Sequence, residues 1–292
     1  MVNRGYIFLK GDFLYFANDG LAFDKSGVIA ISRPNLSSKS VNNEDKPRDL
    51  FPKLNGKNWI KKLHNHSIET YCKDENLLIS DRRAERGATK DYQGRWLFEI
   101  LQNIDDAIGP RDFKKYIGTK GLGFLSVLEI GHSPEFFSGN FNFKFSKKQT
   151  TQVLLKETKF KDKSLATNPP EFQIIHFSNE DNEVNWFKKK NFTTVIKLSI
   201  YKEKKEQIIE DLENLDKNFL LFSRNLKKLT IKIDRQYEYE ISKEIKKLLV
   251  KKDSFKDEIS INLKDTINKK NYVEKWILWG REWQSNNENS KF

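Results

Sequence analysis

The sequence predicts an α+β fold, and three observations support this. Residues 96–104 repeat apolar side chains every three or four positions, as an amphipathic helix with one buried stripe does. Residues 5–17 and 141–145 alternate apolar and polar side chains, as half-buried strands do. The chain has 292 residues, of which 37% are hydrophobic and 13% aromatic, which is enough material to bury a sizeable core.

Composition also limits where the protein works and what it binds. The single cysteine, Cys72, cannot form an internal disulfide, which fits a reducing cytoplasm. Because no apolar stretch approaches membrane-spanning length, we expect a soluble cytoplasmic protein without a membrane partner. The net charge of +12 leaves two interpretations open, a generally basic solvated surface or a patch that binds nucleic acid. The densest lysine clusters are residues 188–190 and 246–252.

The chain opens with a predicted β-hairpin over residues 5–17, with its turn at residues 10–12. The second strand leads into residues 18–23, where Asn and Gly favour a turn, and a helix is predicted to begin near Asp24. Residues 41–58 are polar and are predicted to be a flexible connection. Helical patterning then resumes over residues 59–71.

The second half of the chain contains mostly strand patterns. Before residue 201 we predict strands at 141–145, 152–155, 172–177 and 192–200. After it, we predict an apolar helical stripe over 208–219 and strands at 229–233, 237–241, 259–263 and 276–279. This change of pattern predicts two domains, residues 1–200 and 201–292, with a disordered tail after Trp283.

The stretch with the most specific functional signal is residues 92–127. On its helix, Glu99, Asn103 and Asp106 follow helical spacing and share a polar face. The glycine loop 118–124 follows, and its unpaired backbone N–H groups, together with Lys120, suit a phosphate. It is not a Walker loop, since no Lys-Ser/Thr pair follows its second glycine. Each half alone also fits a plain core helix or a plain helix-start turn.

Together these motifs resemble a known family. Three segments resemble the ATP site of the GHKL, or Bergerat-fold, ATPases: EILQNIDDA, GTKGLGFLSV and PEFFSGNFNFKFS. This family includes gyrase, the ninety-kilodalton heat-shock chaperone, histidine kinases and MutL. The chain is similar above all to the sacsin and NO VEIN-like branch. The resemblance implies a two-layer α/β sandwich, a mixed sheet with helices on one face, and a transducer-like unit over residues 201–292. The adenine turn at residues 18–23 precedes the helix here, so we expect a circularly permuted chain.

The resemblance also implies a set of site residues. Glu99 would be the general base, and Asn103 would bind Mg²⁺ through its amide oxygen. Asn18 stands where the family has an acidic residue that binds the adenine amino group, with Asp19 as the candidate if the register shifts by one. The other implied ATP-binding residues are Gly20, Lys39, Asp106, Lys120, Gly121, Leu122, Gly123, Phe124 and Thr193.

The function that follows from this resemblance is slow hydrolysis of ATP to ADP with Mg²⁺. Hydrolysis would drive a conformational switch, with a homodimer formed on ATP binding, in a bacterial anti-phage defence or chaperone-like system. One alternative is a nucleotide-binding regulatory module without turnover. Another is a nucleic-acid-binding defence protein of the MutL or MORC type, for which the net charge is the motivation.

Overall fold

A computed structural model describes residues 3–32, 51–91, 94–109, 123–157, 160, 163–235, 237–251, 254–265 and 270–280. The strands are β1 (Arg4–Lys10), β2 (Phe13–Asn18), β3 (Gly131–Ser138), β4 (Phe141–Phe145), β5 (Ile175–Phe177), β6 (Thr194–Ile200), β7 (Lys228–Ile233), β8 (Tyr237–Lys251), β9 (Ser254–Asp265) and β10 (Lys270–Gly280). The α-helices are α1 (Lys25–Ile31), α2 (Gly56–Lys73), α3 (Glu75–Asp91), α4 (Trp96–Ile108), α5 (Lys147–Glu157), α6 (Ser164–Thr167), α7 (Asn182–Lys189), α8 (Lys205–Glu213) and α9 (Phe219–Phe222). Short 3₁₀ helices cover Gly123–Glu129 and Lys202–Lys204. The α+β prediction is confirmed at this level.

All the described strands belong to one mixed sheet. Its order is β10-β9-β8-β7-β1-β2-β6-β3-β4-β5, and the pairing of β1 with β7 is parallel while the others are antiparallel. The strands after residue 200 therefore extend the sheet directly from β1, at the start of the chain. The division into two domains stays a prediction, since the sheet itself is continuous across the proposed boundary.

The N-terminal hairpin shows how alternation sorts side chains onto the two faces of the sheet. Its turn uses Gly11 at a φ of +59°, a conformation that favours glycine. Leu14 and Phe16 of β2 enter the main core, which lies between the sheet and the helices α1, α2, α4 and α8. Tyr15, between them in the sequence, points to the opposite face and joins a second, smaller core. The predicted hairpin is confirmed.

The expectation that helices lie on one face only is wrong because of α7. Val184 and Phe187 of this helix pack against Tyr6 and Tyr15, on the face opposite the main core. Asp181 caps the start of the helix, with its carboxylate accepting a hydrogen bond from the Val184 N–H at 2.8 Å. An apolar stripe of only one turn is too short to stand out by periodicity, so the sequence analysis missed this helix.

The strand predicted at residues 152–155 is also wrong, because these residues belong to α5. The helix begins after Ser146, whose hydroxyl accepts a hydrogen bond from the Gln149 N–H at 3.4 Å. Thr150 and Leu154 are its buried side chains, and they lie four residues apart on one helical face. Of the strand predicted at residues 172–177, only Ile175–Phe177 is formed, and strand β3 was not predicted.

A histidine pair, with His176 buried and His64 half-buried, lies where α2, α5 and β5 meet. The rings of His64 and His176 are 5.0 Å apart, and Nε2 of His176 lies 2.9 Å from the Thr150 hydroxyl. Burial, with the nearby charges of His64 and Lys144, lowers the pKa of His176 from 6.5 to about 3. His176 is therefore neutral in the folded protein at neutral pH, while the unfolded chain takes up a proton near pH 6.5.

We expect this histidine to make the fold acid-sensitive. Because the pKa is lowered on folding, its contribution is fully present above pH 6.5 and is lost as the pH falls toward 3. Urea unfolding of the wild type should lose about 2 kcal/mol from this group between pH 7 and pH 5. His176→Gln should remove that part of the loss, whereas Thr150→Val should lower stability and keep the pH dependence. An equal loss in wild type and His176→Gln would show that the acid sensitivity has another source.

Candidate functional site

Helix α4 carries the proposed site residues and packs directly on the sheet. Its buried apolar stripe is the one that the sequence predicts: Trp96, Leu97, Ile100, Leu101 and Ile104. At the start of the helix the Trp96 indole N–H donates to the Asp211 carboxylate at 2.8 Å, which ties α4 to α8. This packing fixes the rotation of α4, and therefore fixes where its polar face points.

The carboxylate of Glu99 lies against the end of the glycine loop. Glu99 is only 8% exposed, although it is charged at neutral pH in its ordinary state. A methyl group added to Gly123 would lie 2.0 Å from Oε2 of Glu99, so a side chain at position 123 would displace this carboxylate. The Arg95 guanidinium pairs with Oε1 at 3.1 Å from one turn earlier. Burial raises the pKa of Glu99 above its ordinary value, and Arg95 partly opposes that shift.

One turn further along α4, Asn103 presents an unsatisfied amide. Its Nδ2 atom is buried and has no hydrogen-bond partner among the described residues. Buried polar groups in proteins nearly always have a partner, so an amide of this kind indicates a place for a ligand or water. Rotating the amide by 180° exchanges its donor and its acceptor, so the same position can also present oxygen. Asp106, the third predicted residue of this face, is buried at 5% exposure.

The turn after β2 packs on the last turn of the same helix. The Leu21 N–H donates to the Ala107 carbonyl at 3.0 Å, and a methyl group added to Gly20 would lie 2.1 Å from that carbonyl oxygen. Gly20 is therefore required by the close approach of the turn to α4. Oδ1 of Asn18 accepts the Gly20 N–H at 3.1 Å, which shapes the turn. The turn and the Glu99 helix, widely separated in sequence, thus form one site.

Asn18 belongs to a row of three polar side chains across adjacent strands. Asn18 of β2 is directly opposite Thr194 of β6, which is opposite Ser138 of β3. The hydroxyls of Ser138 and Thr194 are 2.5 Å apart, and the Phe23 N–H donates to the Ser138 hydroxyl at 2.9 Å. All three are buried, on the same face as the main core. The row extends the polar surface of the site from the turn into the sheet.

Thr194, and not the predicted Thr193, is the threonine that lies in this row. Thr193 precedes β6, and the contact that the structure shows for it is its N–H donating to the Asn18 carbonyl at 2.9 Å. Thr194 is 2% exposed and shares the core face with Leu198 and Ile200. Counting back in steps of two from those leucine and isoleucine positions would have selected Thr194. Ser138 had no comparable signal, because its strand was not predicted.

Asp19, the alternative residue for binding the adenine amino group, is already engaged. Its carboxylate accepts the Arg4 N–H at 2.7 Å and pairs with the Arg4 guanidinium at 3.0 Å. The side chain therefore holds the start of β1 to the end of β2. This leaves Asn18 as the residue of the turn whose side chain lies on the core face.

The glycine loop is described only from Gly123 onward. Lys39, Lys120, Gly121 and Leu122 lie outside the described residues, so their predicted roles stay predictions. Phe124 is buried, with its ring centroid 5.3 Å from that of Phe136. Its side chain anchors the 3₁₀ helix Gly123–Glu129 in the core, and its backbone alone is left to contact a ligand.

A cavity of about 290 Å³ opens beside the turn that follows Asn18. The described residues that line it are Ala22, Phe23, Asn55, Gly56, Gly139, Asn140 and Phe141. It adjoins the polar row through Phe23, which is hydrogen-bonded to Ser138. None of these lining residues belongs to the predicted site set, so the cavity is a neighbour of that site.

Comparison of the chain with protein-family models, curated proteins and solved structures gave no match. The proposed chemistry therefore depends on the motifs and on the geometry described above. Within the described ranges, no helix is both long enough and apolar enough to cross a membrane.

Proposed function

We propose that this chain binds ATP with Mg²⁺ and hydrolyses it slowly, as a permuted GHKL-like ATPase. The observation that supports this most is the meeting of three separate sequence motifs. The Glu99 carboxylate touches the glycine-loop end at Gly123, the unsatisfied Asn103 amide lies one turn along, and the Asn18 turn packs on the same helix. A plain core helix does not require the glycine at position 20, where an added methyl group would meet the Ala107 backbone carbonyl.

The phosphate end of the site lies between α4 and the glycine loop. Asn103 is the residue that would hold Mg²⁺, with its amide rotated so that the oxygen takes the buried position where Nδ2 has no partner. Mg²⁺ supplies positive charge to phosphate oxygens when it is bound. Backbone N–H groups from Gly121 to Phe124, with Lys120 and Lys39, are proposed to bind the phosphates.

The base end of the site is proposed to be the row Asn18, Thr194 and Ser138. Oδ1 of Asn18 accepts one hydrogen bond, from the Gly20 N–H, and has a second lone pair for an exocyclic amino group. The Thr194 and Ser138 hydroxyls share a hydrogen bond with each other, and each can also take part in another. Because Asn carries no charge, it holds an amino group less strongly than the acid of the family would.

Glu99 is proposed to take the proton from the attacking water. Burial raises its pKa, which makes the ionised form a better proton acceptor than an ordinary carboxylate. Its contact with Gly123 places it beside the loop that is proposed to hold the phosphates. The remaining contribution of the protein is positioning, which dominates phosphoryl transfer to water.

Calorimetry with ADP and a non-hydrolysable ATP analogue, with and without Mg²⁺, tests this proposal. We expect binding that Mg²⁺ strengthens in the wild type, and a loss of at least about tenfold in Mg²⁺-dependent affinity in Asn103→Ala, since a buried polar contact is worth about 1.5–3 kcal/mol. Phe98→Ala, on the same helix but exposed and away from the polar face, is the matched control and should bind as the wild type does. Absence of nucleotide binding in the wild type would refute the proposal.

A nucleotide-binding module without turnover is the second candidate function. It is favoured by the ion pair between Arg95 and Glu99, because a base held by a guanidinium is a weaker proton acceptor. Following the bound ATP over hours by chromatography separates the two: ADP supports the ATPase, and unchanged ATP supports the regulatory module. We also propose dimerisation on ATP binding and a role in defence or chaperone-like systems. Both of these proposals rest on the family resemblance alone.

A further inference from the structure

Strand β10 forms one end of the sheet, and no described strand covers its outer edge. All eleven of its residues, Lys270–Gly280, pair with β9 on the inner edge. Within the described ranges, no strand pairs with the outer edge. The opposite end of the sheet is β5, which has only three residues. Among the described strands, the outer edge of β10 is therefore the longest row of backbone N–H and C=O groups without a strand partner.

The side chains of β10 are unusually apolar for such an edge. Trp276, Ile277, Leu278 and Trp279 follow one another and are 43%, 49%, 46% and 65% exposed. They occupy both faces of the strand, since neighbours in a strand point to opposite sides. Edge strands are normally protected by charge, proline or a covering element. Residues 276–280 contain no charged residue and no proline, so this edge is suited to being covered.

We propose that β10 pairs antiparallel with β10 of a second copy of this chain, independently of nucleotide. A two-fold axis perpendicular to the sheet keeps each face continuous with the same face of the partner. Because directly opposite residues point to the same face, this axis sets one residue of β10 opposite the same residue of the partner. Centred on Ile277, it sets Ile277 against Ile277 and Trp276 against the partner's Leu278. The only charged residues brought into register are Lys275, opposite the partner's Trp279, and Glu274, opposite the partner's Gly280.

This register agrees with the charges already seen in the sheet. Within one chain, Lys256 of β9 lies over the Trp279 ring, with Nζ 4.4 Å from its centroid. Lys275 would meet the same kind of aromatic face across the dimer, where a cation is stabilised by the ring. Centring the axis on Glu274 or Lys275 would instead set like charges opposite each other, which is destabilising. These charges therefore place the axis within the apolar run, and the contact of Lys275 with the partner's Trp279 ring favours Ile277 as its centre.

The size of the contact predicts a dimer of moderate affinity. A fully buried aromatic side chain covers about 150–250 Å², so the half-exposed rings of Trp276 and Trp279 offer roughly 200 Å² per copy. Exposed aliphatic side chains and the strand backbone add to that, toward the about 800 Å² per partner of a standard interface. The pairing uses the long open edge of each copy, so it closes as a dimer and does not continue as a filament.

Sedimentation velocity of the full chain without nucleotide tests this proposal. We expect dimer to appear between about 1 and 100 μM, the range for an interface of this size. Ile277→Lys places two positive charges on the two-fold axis and should raise the dissociation constant at least about 30-fold. Val273→Lys is the matched control, because it is also exposed and on the same face but lies outside the paired run, so it should change the constant less than about threefold.

A charge-swap experiment adds a second readout. Ile277→Lys mixed with Ile277→Glu should form a heterodimer, because the proposed axis sets the two substituted residues opposite each other. Circular dichroism and thermal unfolding of each variant show whether it is folded. The proposal is overturned if the folded wild type is monomeric at about 100 μM, dimerises only with nucleotide, or keeps its dimer in Ile277→Lys. Because the proposed dimer does not need nucleotide, its absence would leave the ATPase proposal untouched, and a failure of that proposal would leave the dimer untouched.

Discussion

Glu99→Gln is expected to reduce ATP hydrolysis by at least about 100-fold while nucleotide affinity stays within about twofold. The amide keeps the size of the carboxylate and its contact with Gly123, but it cannot accept a proton from water. Steady-state hydrolysis and calorimetry on the same preparations measure the two quantities. Glu157→Gln, at the exposed end of α5, is the control and should leave both unchanged.

The pH dependence of hydrolysis makes this prediction more specific. Since burial raises the pKa of Glu99, the rate should fall on acidification at a pH above the ordinary carboxyl value, as the base becomes protonated. Arg95 lowers that pKa, so Arg95→Ala should move the acidic limb to higher pH. Wild-type hydrolysis in Glu99→Gln, or an acidic limb that Arg95→Ala does not move, would contradict the assignment of Glu99 as base.

The parts of the fold that the sequence could predict are those set within a short window. The stripe of α4 and the alternation of β1 and β2 each follow from neighbours three, four or two positions away. The same spacing placed Glu99 and Asn103 on one side of α4. The direction in which they point follows from the stripe as well, because a helix held on one side by a core has a defined rotation.

The rest depends on contacts that no short window contains. The sheet joins β1 to β7, more than two hundred residues apart, and that parallel pairing is set by the common core beneath both strands. The row of Asn18, Thr194 and Ser138 exists only because three strands align in register. Thr193 and Thr194 are the same residue type at successive positions, and only the register of the strands decides which of them lies in the row.

Asp105 has a structural role that helical spacing does not reveal, because Asp106, and not Asp105, shares the face of Glu99 and Asn103. The carboxylate of Asp105 is 4% exposed and accepts three backbone N–H groups, from Arg224, Asn225 and Leu226, at 3.1, 2.8 and 2.6 Å. It thereby holds the segment before β7 against α4. Lys243 of β8 holds the preceding turn, where Nζ donates to the Leu220 and Ser223 carbonyls at 2.8 and 2.5 Å.

Asp105→Asn is therefore expected to lower the free energy of unfolding by about 2–4 kcal/mol, measured by urea denaturation. An asparagine keeps one acceptor oxygen but turns an NH₂ group toward the remaining N–H donors, which leaves at least one of them unsatisfied. Asp216→Asn is the matched control: that exposed carboxylate accepts one N–H, from Asn218 at 2.9 Å, and should cost less than about 1 kcal/mol.

The structure also predicts how this loss would reach the proposed site. Asp105 lies between Asn103 and the Ala107 carbonyl that receives the Leu21 N–H, so it braces the end of α4 on which the Asn18 turn packs. Releasing it should weaken nucleotide binding along with stability, whereas Glu99→Gln affects hydrolysis alone. An Asp105→Asn protein as stable as the wild type would show that the three N–H groups find other partners, and that α4 does not depend on this carboxylate.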